Sequence, residues 1–234
     1  MEVIVEERPQ SAREVLERDE ALLAEGRPTV RVGLFGETAV SLGIAQRDES
    51  ALEGRARSLG YPIVRRRSGG SALLHRPGDI FWSLVLDRDH PLVGRGFVHR
   101  YSELGEGWRR FLGRKGLDAA WDCPPALNET YCLLSQRGQV LTARGGVLGG
   151  ASQHVTSRTL LHHGVVACSL DAQRLVELFG LGEERKRLTS LSDLGATPSN
   201  DELRTLALDL KEGLATHKAP TSLVRSPSDD KRVS

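Results

Sequence analysis

The sequence predicts an α+β fold, a mixed, largely antiparallel sheet with flanking helices, from the following observations. Apolar residues recur at helical spacing in three separated stretches, 12–23, 101–115 and 200–213. Between them lie short β-rich runs whose connections of three to six residues are too short to cross over between parallel strands. No internal repeat and no linker divides residues 1–215, which read as one domain, and the Ser-, Pro- and charge-rich end over 216–234 reads as a flexible tail.

Ser11 caps the first helix, with Glu14 placed as in a capping box, and Ala12, Val15, Leu16, Asp19, Leu22 and Leu23 share one face. Gly26 and Pro28 end it. TVRVGLF (29–35) and AVSLG (39–43) follow as strands joined by a hairpin or tight turn. Residues 50–59 form a second helix with Gly60 at its C-terminal cap, and Tyr61-Pro62 imposes extended backbone after it. IVRRR, a Gly-rich turn, SALLH and IFWSLVL (80–86) continue the strand series. Residues 101–115 read as one helix, with Leu104, Trp108 and Phe111 on one side. Residues 132–142 and 164–170 read as strands, 172–179 as a short helix capped by Asp171, and 200–213 as a helix with Leu203, Leu206 and Leu210 in phase.

Composition limits the classes of function. A net charge of +1 over 234 residues gives no global basic field for nucleic acid or a membrane surface, so any anion site is local. No segment reaches the roughly 20 apolar residues of a membrane span, and MEVIVEERPQ is too acidic and too short in apolar length for a signal peptide, which makes the cytoplasm the expected location. Cys123, Cys132 and Cys168 form no CxxC pair and no disulfide framework, so each is expected as a free thiol, buried or reactive. No His, Cys and carboxylate cluster has metal-ligand spacing, and no metal is assigned.

The run RRRSGGSALLHRPGDIFW (65–82) carries the densest chemistry. Gly69-Gly70 lets the chain turn tightly with backbone N–H groups facing a ligand, and Arg65 and Arg66 offer forked donors for a carboxylate or phosphate. A hairpin with an arginine-rich solvent face is the competing reading. Leu73-Leu74 and the second turn at Gly78 favour a strand-turn-strand wall beside a pocket for a molecule with an apolar body and a polar head.

RRRSGGSALLHRPGDIFWSLVL resembles the signature of the lipoate-protein ligase family, which includes octanoyltransferases and is distantly related to biotin protein ligases. Arg65, Arg66, Gly69, Gly70, Ala72 and His75 stand in register with the family form RRxxGGGAVxH, while Ser71 replaces its third Gly and Arg76 a common Asp. SAREVLERDEALL, YSELGEGWRRFLGRKGLDA, GGASQH, LLHHGVVACSLD and RLTSLSDLG resemble further family segments in order, so the resemblance covers about residues 8–195. It implies a lipoate-protein ligase-like catalytic domain with a tunnel for lipoate, octanoate or an acyl-adenylate. It also implies acyl transfer to a lysine of a lipoyl carrier domain or a glycine-cleavage H-like protein. Arg65, Arg66, Ser68, Gly69, Gly70, Ser71, Ala72 and His75 are the implied substrate-binding residues, with Gly43 and Gln46 bordering the tunnel.

The chain departs from the family at one telling place. Ligases of the family carry a lysine in GRKxxGxA, whereas this chain reads ARGGVLGGASQH, and alignment on Gly149 and Ala151 puts Gly146 at the lysine position. Adenylation needs electrostatic stabilisation of phosphoryl charge, and Arg144 replaces a compact ammonium only partly. Arg144, Gly146, Gly149, Ala151 and His163 complete the expected binding set. Cys132 resembles the nucleophilic cysteine of octanoyltransferases built like the ligases, and a buried strand thiol is the alternative. His162-His163 are either a polar pocket edge or structural, and no general base stands out. The readings that remain are an octanoyl or lipoyl transferase working through a Cys132 thioester, a non-catalytic acyl- or carrier-binding protein, and an ATP/Mg-dependent ligase with an altered site or a partner subunit.

Overall fold

A computed structural model describes residues 1–46, 49–94, 97–123, 125–135 and 139–215; the tail expected over 216–234 lies outside the described residues. Along the chain come β1 (Glu2–Val5), α1 (Ala12–Glu25), β2 (Thr29–Leu34), β3 (Ala39–Leu42), α2 (Ser50–Ser58), β4 (Ile63–Arg65), β5 (Leu73–His75) and β6 (Ile80–Asp87). Then follow α3 (Phe97–Leu104), α4 (Glu106–Arg114), β7 (Ala119–Asp122), β8 (Gln139–Ala143), β9 (Gly146–Val155), β10 (Thr159–Val166), α5 (Ala172–Phe179) and α6 (Asn200–Ala215). The large sheet runs β1-β2-β6-β10-β9-β8-β7 and is antiparallel except for the β1–β2 pair. A small sheet, β4-β3-β5, has β3 parallel to β4 and antiparallel to β5. The mixed, largely antiparallel sheet with flanking helices is the fold class that the sequence predicts.

Strand β6 shows why the layers stack as they do. Its alternate residues Ile80, Trp82, Leu84 and Leu86 join Leu104, Trp108, Leu206 and Leu210 in the core beneath α3, α4 and α6. Phe81 faces the other way, into a second core with Phe35, Val40, Leu42 and Leu178 from the small-sheet side. Val85 packs on Leu22 and Leu23 of α1. A strand covered on both faces reads as a continuous apolar run, and burying each such side chain contributes roughly 1.5–3 kcal/mol. The exception in that run, Ser83, donates to Asp19 at 2.8 Å.

Helix α1 has the cap its sequence announces: Glu14 N–H donates to Ser11 Oγ at 3.2 Å, Ser11 N–H donates to the Glu14 carboxylate at 2.7 Å, and Gly26 ends the helix at φ 71°. Its buried face includes Asp19, which is paired with Arg31. Arg31 is 1% exposed and donates to Glu6 at 2.6 Å, to Asp19 at 3.1 Å and to the Val15 carbonyl at 3.1 Å.

The structure corrects the sequence reading at several elements. β2 and β3 belong to different sheets and do not form a hairpin, because Phe35 N–H bonds to Asp79 O and Gly36 N–H to Gln10 O, which leads the chain off the large sheet. The helix expected over 101–115 is two helices broken at Gly105. The Trp121 indole takes the space there, since a Cβ on Gly105 would lie 1.7 Å from Trp121 Nε1, which donates to Gly105 O at 3.0 Å. The strand expected from 132 starts at Gln139; Cys132–Leu134 form a 3-10 turn whose Cys132 N–H donates to Ala72 O at 2.8 Å. The strand expected over 164–170 is Thr159–Val166, and β1, β7 and the glycine-rich β9 are additional strands. No helix among the described residues is long and apolar enough to cross a membrane.

Replacing Arg31 with Ala would leave the Asp19 carboxylate buried without its cation. A loss of about 3–5 kcal/mol in urea unfolding is expected, whereas Arg13→Ala, at an exposed pair with Glu17, is expected to change stability by less than about 0.5 kcal/mol.

Candidate active site

Strands β4 and β5 lie on opposite edges of β3, so the loop between them crosses the end of β3 and is not the tip of a hairpin. The crossing is close. A Cβ on Gly43, just past β3, would lie 1.9 Å from Gly70 O, and Gly70 itself has φ +88°. Gln46 supports this contact from behind by accepting from Gly43 N–H at 3.0 Å. Gly43 and Gln46 therefore build the loop and do not line the pocket.

Arg66 fixes the loop from inside. It is 5% exposed, and every N–H of its guanidinium is engaged: Nη1 donates to Ser41 O at 3.1 Å and Ser41 Oγ at 3.0 Å, Nη2 to Gly69 O at 3.1 Å and to Ser71 O, and Nε to Gly69 O at 3.3 Å. Arg65 turns to the surface, where it donates to Gln46 O and to Glu53. The expectation that both arginines present open forks to a ligand is corrected on these bonds: they hold the wall in shape.

Arg66 acts on the pocket through charge instead. Its hydrogen-bond partners are all uncharged oxygens. Burial works against the guanidinium's charge, and the group that offsets this is the Cys132 sulfur. A methyl placed on Gly70 would touch both, 3.0 Å from Cys132 Sγ and 3.1 Å from Arg66 Nη2. Cys132 is 5% exposed and reaches this place because its 3-10 turn is bonded to Ala72.

Below the loop lies a narrow cavity of about 40 Å³. Val15, Leu16, Phe35, Leu73, Phe81 and Val165 give it an apolar wall, and Ser41, Arg66, His75, Cys132, Ser152 and His163 supply its polar groups. Ser41 Oγ accepts from Arg66 and lies 2.8 Å from His75 Nε2. Burial, reinforced by Arg66, lowers the His75 pKa to about 3, so the ring is neutral, and its Nδ1 is buried without a partner.

A second polar chain runs along another wall. Ser152 Oγ donates to Ser68 Oγ at 2.8 Å, and Ser68 Oγ lies 2.6 Å from His163 Nε2. His163 Nδ1 lies 2.8 Å from Asp19 Oδ2, and Asp19 Oδ1 accepts from Arg31 and Ser83.

The remaining expected residues divide in two. Ala151 lines the pocket; Ser68, Gly69, Gly70, Ser71 and Ala72 form the loop over it. Gly149 lies against β10, where a Cβ would come 2.3 Å from Val165 O. Gly146 and Arg144 stay outside the pocket. A Cβ on Gly146 would lie 2.8 Å from both Cβ and Cγ2 of Thr189, and Arg144, at φ 47°, is exposed in the β8–β9 turn. Burial and Asp79 push the Cys168 thiol up to about 12, and both Cys168 and the exposed Cys123 lie away from the cavity. Asp19, Ser41 and Ser152 are the polar pocket residues that sequence reasoning did not place there. Asp19 had a visible signal, a charge on the apolar face of α1.

The Lipoyl protein ligase A/B catalytic domain family model matches residues 11–209. Among curated proteins the chain is similar to Octanoyltransferase LipM of Geobacillus kaustophilus, 29% identical over 182 residues, covering 71% of this chain and 65% of that protein, just under two thirds of its length. It is also similar to Octanoyltransferase LipM of Kyrpidia tusciae, 27% identical, covering 88% of this chain and 84% of that protein. In fold it matches a lipoate-protein ligase A crystallised with ATP, with TM-score 0.74, 22% identity and coverage of 92% of this chain and 85% of that one. A bi-partite lipoate protein ligase from Thermoplasma acidophilum matches with TM-score 0.68, 21% identity and coverage of 92% and 83%.

Gly146→Lys is expected to cost about 1–3 kcal/mol because the new side chain overlaps Thr189. Adding Thr189→Gly should recover part of that loss in urea unfolding, and a Gly146→Lys protein as stable as the parent would show the overlap to be harmless. His75 stays neutral when folded but takes a proton when unfolded at a pKa near 6.5. Stability is therefore fully present above about pH 6.5 and falls as pH drops towards 3, at up to about 1.4 kcal/mol per pH unit. His75→Gln should flatten that part of the dependence in unfolding titrations between pH 7 and pH 4.

Proposed function

Because the chain belongs to the Lipoyl protein ligase A/B catalytic domain family, we propose that it is an acyltransferase that moves an octanoyl or lipoyl group onto a lysine of a lipoyl carrier domain through a thioester on Cys132. The observation that carries this reading is the pairing at Gly70: a sulfur beside a buried guanidinium whose other partners are all neutral. The sulfur is the nucleophilic atom of the thioester route.

In the first half-reaction the Cys132 sulfur attacks the carbonyl carbon of an acyl thioester, a C–S bond to Cys132 forms, the donor's C–S bond breaks, and the donor thiol leaves with the proton. In the second, the carrier lysine's amine attacks the Cys132 thioester, giving an amide and a free Cys132 thiol. The apolar wall formed by Val15, Leu16, Phe35 and Phe81 suits the hydrocarbon tail. The similarity to octanoyltransferases supports the octanoyl group as the first substrate to test.

The ATP-dependent ligase reading fits less well. Among the described residues, Arg66 is the only lysine or arginine lining the cavity, and its donors are all committed to protein oxygens. Arg144 is exposed outside the cavity, and Thr189 occupies the place where a side chain on residue 146 would begin. The residues present do not fit the phosphate of an adenylate.

Incubation of the full chain with an octanoyl thioester donor, followed by peptide mass spectrometry, should place an octanoyl adduct on Cys132. Cys132→Ser should lower transfer to an acceptor domain by about 10³-fold or more. Undiminished transfer by Cys132→Ser would refute the thioester route. The absence of both adduct and transfer would favour a binding protein, and lipoyl-adenylate formation from lipoate and Mg-ATP would favour the ligase.

A further inference from the structure

We infer that Ser68, His163 and Asp19 form the proton relay for the second half-reaction, with the Ser68 hydroxyl meeting the attacking amine and His163 and Asp19 as its positioning residues. The inference deepens the thioester reading and rests on it. Its basis is the geometry of hydrogen bonds that leave little freedom in the direction of the protons.

Asp19 Oδ1 already accepts from Arg31 Nη1 and Ser83 Oγ, both donors, so Asp19 is an acceptor held from two strands. His163 Nδ1 is then the donor to Asp19 Oδ2 at 2.8 Å, leaving Nε2 as the acceptor. The hydrogen on Ser68 Oγ points to that nitrogen at 2.6 Å, while Ser152 Oγ donates to the same Ser68 oxygen at 2.8 Å. A serine hydroxyl hydrogen-bonded to an imidazole that is oriented by a buried carboxylate is the arrangement by which a hydroxyl gives up its proton as it takes another.

Asp19, Ser152 and His163 line the same cavity as Cys132 and Arg66, and Ser68 lines the adjoining pocket, which shares Asp19, Arg66 and His163 with it. Ser68 lies in the loop two residues from Arg66 and two from Gly70, the residue whose Cα faces both Cys132 Sγ and Arg66. No lysine lines this cavity among the described residues, so a proton acceptor for the amine has to come from another residue type.

The step balances as follows. The carrier lysine, arriving as a neutral amine, attacks the thioester carbonyl; the C–N bond forms and the C–S bond to Cys132 breaks. The proton shed by nitrogen passes to Ser68 Oγ as the proton of Ser68 passes to His163 Nε2. The imidazolium is held by the Asp19 carboxylate and returns the proton, through Ser68, to the Cys132 sulfur. The products are the amide and the Cys132 thiol.

The test separates the two half-reactions in the full-length chain, using an octanoyl thioester as donor and unmodified carrier domain as acceptor. Ser68→Ala and His163→Gln should still form the octanoyl adduct on Cys132 but release it to the acceptor lysine about 10²-fold more slowly or worse, so that the adduct accumulates. That deficit should shrink as pH is raised towards the lysine's own pKa of about 10.4. The titratable and charged groups that face His163 are Asp19, Arg66, Cys132 and, on the rim, the Glu20–Arg67 pair and His154; His75 and His162 are held neutral by burial. A purely structural role would slow adduct formation and release together, with no recovery at high pH. Ser68→Ala removes a single oxygen and keeps the test decisive if His163→Gln fails to fold. Release at the parent rate from Ser68→Ala overturns the relay alone, whereas no adduct on the unaltered protein overturns the thioester reading and the relay with it.

Discussion

A guanidinium sealed among neutral oxygens sets the shape of everything above the cavity. The carbonyls of Ser41, Gly69 and Ser71 converge on Arg66 from two segments of chain, and the glycines at 43 and 70 let those segments come close enough to reach it. An interior cation without a carboxylate partner is costly. The cost is met by the hydrogen bonds to these oxygens. The loop therefore has one way to close, and closing it brings Cys132, held through Ala72, into the field of the charge.

Much of the fold could be read in the sequence where local chemistry and tertiary packing agree. The cap at Ser11, the end at Gly26 and the double-sided burial of IFWSLVL are all local signals that the structure keeps. The failures occur where a distant side chain decides. Helical periodicity over 101–115 gives no sign of the Trp121 indole that breaks it at Gly105, and nothing between residues 35 and 39 reveals that the chain changes sheets. The glycines of β9 resemble turn residues, yet they form a strand because β10 and Thr189 leave no room for side chains at Gly149 and Gly146.

The pocket was legible as a place but less so as a set of roles. The arginine and glycine run marked the right wall, but spacing alone cannot say whether a guanidinium faces a ligand or the backbone of its own loop. Asp19 and His163 lie 144 positions apart in the chain, and their bond exists only because α1 packs on the face of β6 and β10. The absence of a lysine at 146 was visible from the start. That Thr189 fills the vacated position, so that the replacement is built into the packing around it, required the structure.

The insertion of Trp121 at the α3–α4 break also gives the protein an uneven optical signature. Its indole and those of Trp82 and Trp108, the full complement of tryptophans, form one cluster with ring centroids 6.0 and 6.4 Å from Trp82. Intrinsic emission will thus track the docking of the α3–α4–α6 layer on the large sheet. Loosening of the small sheet and its arginine-stapled loop will leave that light almost unchanged and will need a different reporter.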